Sequence, residues 1–210
     1  HYSCILSNLV VTNAIPMSRI TISYANLAGK YGVTVLKDMA VAVDPVGHRV
    51  TLASGTVLPY DRLVLAPGID FVPIPGWDPN LAPHAWQAGP QTTLLKNQLA
   101  ARPTGEFFVM TVPKSPYRCP PGPYERACQV ASHLARHNPR AKVLILDANE
   151  KVASKEALFR RAWADLYPGM VEHVPNSELV DVDVANLTAK LQFDDVRADV
   201  PNVIPPMKAA

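Results

Sequence analysis

The chain has 210 residues, 48% of them hydrophobic and 18% charged, with a formal net charge of +2. That length suits one large domain or two modest ones, and the apolar fraction is enough to build a core. The near-balanced charge gives no basis for nucleic-acid or polyanion binding, and no apolar run reaches the length of a transmembrane helix.

The first residues, His1-Tyr2-Ser3-Cys4, hold neither an initiating Met nor a targeting segment, and Val203-Ile204-Pro205-Pro206 reads as a core strand meeting a loop. Both ends are therefore expected to be cuts through a longer protein. Residues 1–12 read as a turn-rich opening, and Ile20–Lys30 as a short helix broken by Gly32. Val33–Leu36 is a short apolar run and is expected as a buried parallel strand. Three short strands follow, Ala40–Asp44, Arg49–Leu52 and Thr56–Pro59, parted by the turn sequences Asp44-Pro45-Val46-Gly47 and Ser54-Gly55. Arg62–Ala66 is a second continuous apolar run, expected to return to the parallel sheet.

Residues 69–89 are proline-rich and expected to be irregular, with a domain boundary near Gly89. A linking helix over Gln91–Ala101 leads into a second cycle. Strands are expected at Glu106–Val112, Lys142–Asp147 and Val171–Val174, with helices Pro123–His137 and Glu156–Leu166 between them. A hairpin-like pair over Leu179–Phe193 and a strand at Val200–Ile204 close it. This β-α-β-α-β order specifies a parallel sheet. The fold class is α/β: parts of two Rossmann-like domains, whose parallel sheets each carry an antiparallel β-meander. The divisions are 1–88, 89–206, and 207–210 as the start of a return to the first domain.

Two segments carry the chemistry. In Tyr60-Asp61-Arg62-Leu63-Val64-Leu65-Ala66-Pro67-Gly68, an apolar run ends in small residues that let backbone approach a bulky ligand. In the second half, the turn after strand Glu106–Val112 is where a Gly-rich loop would cradle a dinucleotide pyrophosphate. Here that turn holds five prolines and one glycine over 112–123. Proline offers no amide donor, so ordinary NAD binding is not expected, although Asp147 ends the next strand where a ribose-binding acid would sit. In place of the nucleotide turn stands Cys119, just before a helix N-terminus, with Pro123 in the first helical turn. The helix dipole, Arg118 and Arg126 favour thiolate, and Glu125, six residues on, is an acid–base candidate. Cys128 sits at core spacing in the helix. Cys4, Cys119 and Cys128 form neither a disulfide framework nor a metal site by their spacing, and no metal is expected.

The Tyr60–Gly68 segment resembles the second FAD-associated motif of glutathione-reductase-like flavoproteins. Tyr117-Arg118-Cys119-Pro120-Pro121-Gly122-Pro123-Tyr124-Glu125-Arg126-Ala127 resembles, more specifically, the active-site segment of flavocytochrome c sulfide dehydrogenase flavoprotein subunits. His1–Asn8, Pro83-His84-Ala85-Trp86 and Asn202–Pro206 are similar to further stretches of that family. The resemblance implies that FAD is the cofactor, attached covalently through Cys4, with Ala40, Tyr60, Asp61, Ala66, Pro67 and Gly68 around it. It implies that Cys119 is half of a redox-active disulfide whose second cysteine lies beyond residue 210, and that Glu125 is nearby. It also implies sulfide as substrate, a cytochrome c subunit carrying the haem as partner in a heterodimer, and a periplasmic location, where disulfides persist. On this view hydrosulfide opens the disulfide, the resulting thiolate reduces the flavin, and electrons leave singly to the haem. Two alternatives stand beside it: a sulfide:quinone oxidoreductase, and a non-catalytic truncated binding module.

Overall fold

The computed structural model describes residues 2–3, 6–102, 104 and 106–210. They divide into two compact units, 23–68 on one hand and 2–22 with 69–210 on the other. The division expected near Gly89 falls inside the larger of these two units.

The chain opens with α1 (Ser7–Val11) and a 3-10 turn (Met17–Ile20). The smaller unit then contributes α2 (Ala25–Tyr31), β1 (Ala40–Asp44), β2 (Arg49–Leu52) and β3 (Val57–Pro59). The larger unit resumes with β4 (Ile69–Phe71), α3 (Pro90–Ala101), β5 (Phe107–Val112), α4 (Gly122–His137) and β6 (Lys142–Asp147). There follow α5 (Glu156–Leu166), β7 (Val171–Val174), β8 (Leu179–Asp183) and β9 (Thr188–Leu191). Strands β10 (Asp195–Arg197), β11 (Val200–Val203) and β12 (Met207–Ala209) complete it.

The larger unit is layered. Its centre is a four-stranded parallel sheet in the order β11-β5-β6-β7. Successive side chains of a strand point to opposite faces, and the sequence uses both. Phe108, Met110, Val112, Val143 and Ile145 join the core shared with the helices. Val109 and Leu146 pack with Ala189 and Ala198 of the antiparallel meander β8-β9-β10 and its flank. Helix α4 meets the sheet because Tyr124, Ala127, Val130, Ala131 and Leu134 recur at helical spacing, and all five are buried. Asp199 fastens the sheet edge: its Oδ2 accepts from the backbone amides of Glu106 (2.7 Å) and Phe107 (3.0 Å).

The expected order of strands and helices in the second half is thus present, and the hairpin-like pair is a three-stranded meander. Elsewhere the structure differs. The opening contains a helical turn, α1, and Ile20–Lys30 is split between the 3-10 turn and α2. Residues 69–89 include β4, which pairs antiparallel with β12. Of the two apolar runs expected as parallel strands, neither Val33–Leu36 nor Arg62–Ala66 is a strand. Val64 is 88% exposed and Leu65 66% exposed, so the runs have no core around them. A strand exists only by hydrogen bonding to a neighbouring strand, and among the described residues these two runs have none. The smaller unit consists of α2 and the antiparallel sheet β1-β2-β3, with Leu52 its one buried residue.

Candidate active site

The loop between β5 and α4 is stapled at both ends. Asn149, just after β6, donates to the Pro113 carbonyl (3.0 Å) and accepts from the Ser115 amide (3.0 Å). Further on, the Tyr117 hydroxyl donates to the Pro120 carbonyl at 3.3 Å. Between these anchors Cys119 is exposed and adopts φ +61°, a left-handed conformation that costs a non-glycine residue about 1 kcal/mol or more. The turn closes when the Gly122 amide, at the start of α4, donates to the Cys119 carbonyl at 2.9 Å. The prolines make this turn stiff, since each fixes its own φ.

Gly122 has a steric reason to be glycine. A Cβ there would lie 2.7 Å from Cη2 of Trp86 and 3.1 Å from the Cys119 sulfur. The sulfur therefore lies against the first turn of α4, beside the Trp86 indole. Trp86 is held in turn by a reciprocal pair: its indole N–H donates to the Arg118 carbonyl (3.3 Å), and Arg118 Nη2 donates to the Trp86 carbonyl (2.6 Å).

Arg126, one turn into α4, is 1% exposed, and its guanidinium lies 5.0 Å from the Trp86 ring centroid. It donates to the carbonyls of His84 (3.0 Å) and Ala85 (2.5 Å), to Asn202 Oδ1 (2.9 Å) and to Asn8 Oδ1 (2.9 Å). Burial pulls its pKa down to about 9, opposed by the Glu125 carboxylate and the Cys119 sulfur, so it stays charged at neutral pH. Glu125 accepts from Asn8 Nδ2 at 3.3 Å. Asn8, Trp86, Arg118, Cys119, Glu125 and Arg126 line one pocket of about 190 Å³. The two residues expected to be catalytic, Cys119 and Glu125, are brought together there. A sulfur nucleophile, a carboxylate and a buried cation in one pocket can accept a small anionic sulfur compound and move its proton.

Behind the loop lies a second polar group. Asp147 is fully buried at the end of β6; its Oδ2 accepts from the Tyr124 hydroxyl (2.7 Å) and pairs with His173 Nε2 (2.9 Å), while Asn149 binds Oδ1. Burial pushes this carboxyl up, but the hydrogen bonds from His173, Tyr124 and Asn149 outweigh it and hold the pKa below the usual range. Burial pushes the Tyr124 phenol far up, and Tyr117, 3.4 Å from it, up to about 12. The acid at the ribose position is thus taken up internally. Cys128 packs beside the core and burial raises its thiol, which fits the packing role read from its spacing.

The residues expected to surround FAD lie in the smaller unit, apart from Cys4, which falls outside the described residues. Ala40 pairs with Leu52 across β1 and β2. Tyr60 follows β3, stacks on His48 at 5.4 Å and donates to the Asp44 carbonyl at 3.3 Å. Asp61, Ala66, Pro67 and Gly68 are exposed; Gly68 has φ +82° and open space where a side chain would be.

Some site residues were legible only in part. Trp86 and Asn8 stood inside recognised stretches without a role. His173 could have been flagged, because strand alternation puts it on one face with Val171. Nothing in the sequence pairs it with Asp147.

The fold is that of the two-dinucleotide-domain flavoprotein oxidoreductases. The chain is similar to the sulfide:quinone oxidoreductase of the hyperthermophilic bacterium Aquifex aeolicus (TM-score 0.81, 16% identity), covering 99% of this chain and 50% of that one. It is similar to an NAD-dependent persulfide reductase from A. fulgidus (TM-score 0.68, 15% identity, 99% of this chain and 39% of that one). A ferredoxin reductase from Rhodopseudomonas palustris also matches (TM-score 0.64, 13% identity, 98% and 50%). The chain therefore spans about half the length of these proteins or less. Residues 92–205, more than half of the chain, match the family described as sulfide dehydrogenase [flavocytochrome c] flavoprotein chain, central, and the chain belongs to that family.

Proposed function

We propose that the chain is the central part of an FAD-dependent sulfide dehydrogenase, which oxidises hydrosulfide at Cys119 and passes electrons to the haem of a cytochrome c subunit in a heterodimer. One observation carries the reading: an exposed cysteine in the place of a nucleotide-binding turn, sharing a pocket with Glu125 and the buried Arg126. The internally bound Asp147 supports it, because this acid is not available to a nicotinamide nucleotide's ribose. In this reading residues 1–88 belong to the FAD-binding domain, 89–206 form the central domain, and 207–210 begin the return to the first.

The residues present fit a flavin. Within the smaller unit the Ala66-Pro67-Gly68 turn offers exposed small residues with room above Gly68, as close approach of a bulky cofactor needs; within the larger unit, taken by itself, Cys119 opens onto a pocket with the planar Trp86 at one side. Cys4 would hold FAD covalently, with Ala40, Tyr60, Asp61, Ala66, Pro67 and Gly68 about it. When bound, FAD would supply a two-electron acceptor for the thiolate formed as hydrosulfide opens the disulfide, and would release those electrons singly. The protein's own part is sulfur chemistry. Hydrosulfide attacks a disulfide that includes Cys119; an S–S bond forms to the incoming sulfur, the old S–S bond breaks, and its electron pair leaves on a thiolate. Glu125 takes up the proton from the new persulfide, and Arg126 offsets the negative charge gathered in the pocket. The periplasm is the proposed compartment, because a catalytic disulfide persists there.

The test uses the full-length protein. A yellow, acid-stable spectrum that loses its covalent character in Cys4→Ala is expected, together with sulfide-dependent cytochrome c reduction abolished by Cys119→Ser. A colourless product, or activity surviving Cys119→Ser, overturns the reading. Reduction of quinone in place of cytochrome c would move the protein to the rival acceptor.

A further inference from the structure

Asn8 is a buried polar residue on α1, with a charged group on either side. Its Oδ1 accepts from Arg126 Nε at 2.9 Å; its Nδ2 donates to Glu125 Oε2 at 3.3 Å and lies 3.5 Å from the Gly122 carbonyl. A guanidinium has donors only. The Asn8 oxygen must therefore face Arg126, and its amide nitrogen must face Glu125. Glu125 Oε2 is thereby assigned an acceptor's role, which leaves Oε1 as the oxygen that can take a proton. Arg126 cannot turn away, because the His84 and Ala85 carbonyls and Asn202 also hold it. Hydrogen-bond direction thus runs one way, from the buried cation through Asn8 to the carboxylate beside Cys119.

We propose that Asn8 is a positioning residue for this site: it transmits the fixed polarity of Arg126 to Glu125 and holds that carboxylate as a proton acceptor at the pocket. The proposal rests on the reading of Glu125 as the acid–base group. Asn8 lines the same pocket, and in this role it acts through Glu125.

The experiment is a double-mutant cycle in the full-length holoprotein, with thermal stability and sulfide-dependent cytochrome c reduction both measured. Asn8→Asp keeps an acceptor for Arg126 but sets an oxygen against Glu125 Oε2. Expected are a Tm lowered by several degrees and a kcat lowered about 10- to 100-fold, with KM for cytochrome c unchanged. Adding Glu125→Gln restores a donor–acceptor pair of opposite direction. The double variant should recover Tm yet be no more active than Glu125→Gln alone. Additive losses in Tm, or wild-type kcat in Asn8→Asp beside a damaged Glu125→Gln, overturn the proposal alone. Full activity in Glu125→Gln overturns the underlying role of Glu125, and the proposal with it. If Asn8→Asp is too unstable to purify, Asn8→Ala takes its place: its kcat loss should vanish in the Glu125→Gln background, and a loss that persists there overturns the proposal.

Discussion

At Gly122, where α4 starts, the Trp86 indole comes to 2.7 Å and the Cys119 sulfur to 3.1 Å of the point a methyl group would occupy. Gly122→Ala must displace Trp86 or Cys119, and overpacking of this kind costs about 1–3 kcal/mol. The expected result is a lower urea midpoint, with a changed rate of Cys119 alkylation by iodoacetamide where the sulfur is the group that moves; an unchanged midpoint would show that neither group rests on that turn. His84 gives a pH-dependent prediction. Burial, with Arg126 nearby, pulls its pKa from 6.5 to about 4, and its Nδ1 accepts from the Trp86 amide at 2.9 Å. The unfolded chain therefore binds this proton more readily than the folded one. The contribution of neutral His84 is complete above pH 6.5 and is lost as pH falls towards 4, by about 3 kcal/mol in all. His84→Gln should flatten the stability profile across that window, read from urea unfolding at a series of pH values. At this scale Cys119 and Glu125 were legible, because a proline-boxed cysteine before a helix is a local pattern. Asn8 was not, since it lies 117 residues from Glu125 and only folding joins them.

Among elements, the central sheet and α4 follow from pattern. β5 and β6 are apolar on both faces because helices cover one and the meander the other. Ile145→Ala, at 0% exposure, should cost about 3 kcal/mol, whereas Leu158→Ala on α5, 60% exposed, should change the urea midpoint little. Equal effects would contradict the layering. Val33–Leu36 and Arg62–Ala66 resemble β5 in composition, yet neither is a strand. An apolar run records what a segment could bury, not whether a neighbouring strand is present to receive its hydrogen bonds.

Across the whole chain, stability should be uneven. The smaller unit has one buried residue, while the larger holds the extended core. Local opening is easiest where few apolar contacts hold the backbone. Amides of β1–β3 should exchange with solvent far faster than those of β5 and β6, as hydrogen-exchange mass spectrometry of the 210-residue chain would measure. Comparable protection in both sets would mean that the smaller unit is held by more than its own burial.

The order of helices and strands in the second half, the loss of a glycine-rich nucleotide turn and the cysteine set in its place were determined by the sequence alone. Each is written in a short stretch whose spacing and backbone chemistry act locally. Tertiary structure decided which groups meet: Asn8 with Arg126 and Glu125, Asp147 with Tyr124 and His173, and Trp86 with the Cys119 turn. Those meetings depend on hydrogen-bond direction and close packing between distant segments, which no local pattern encodes.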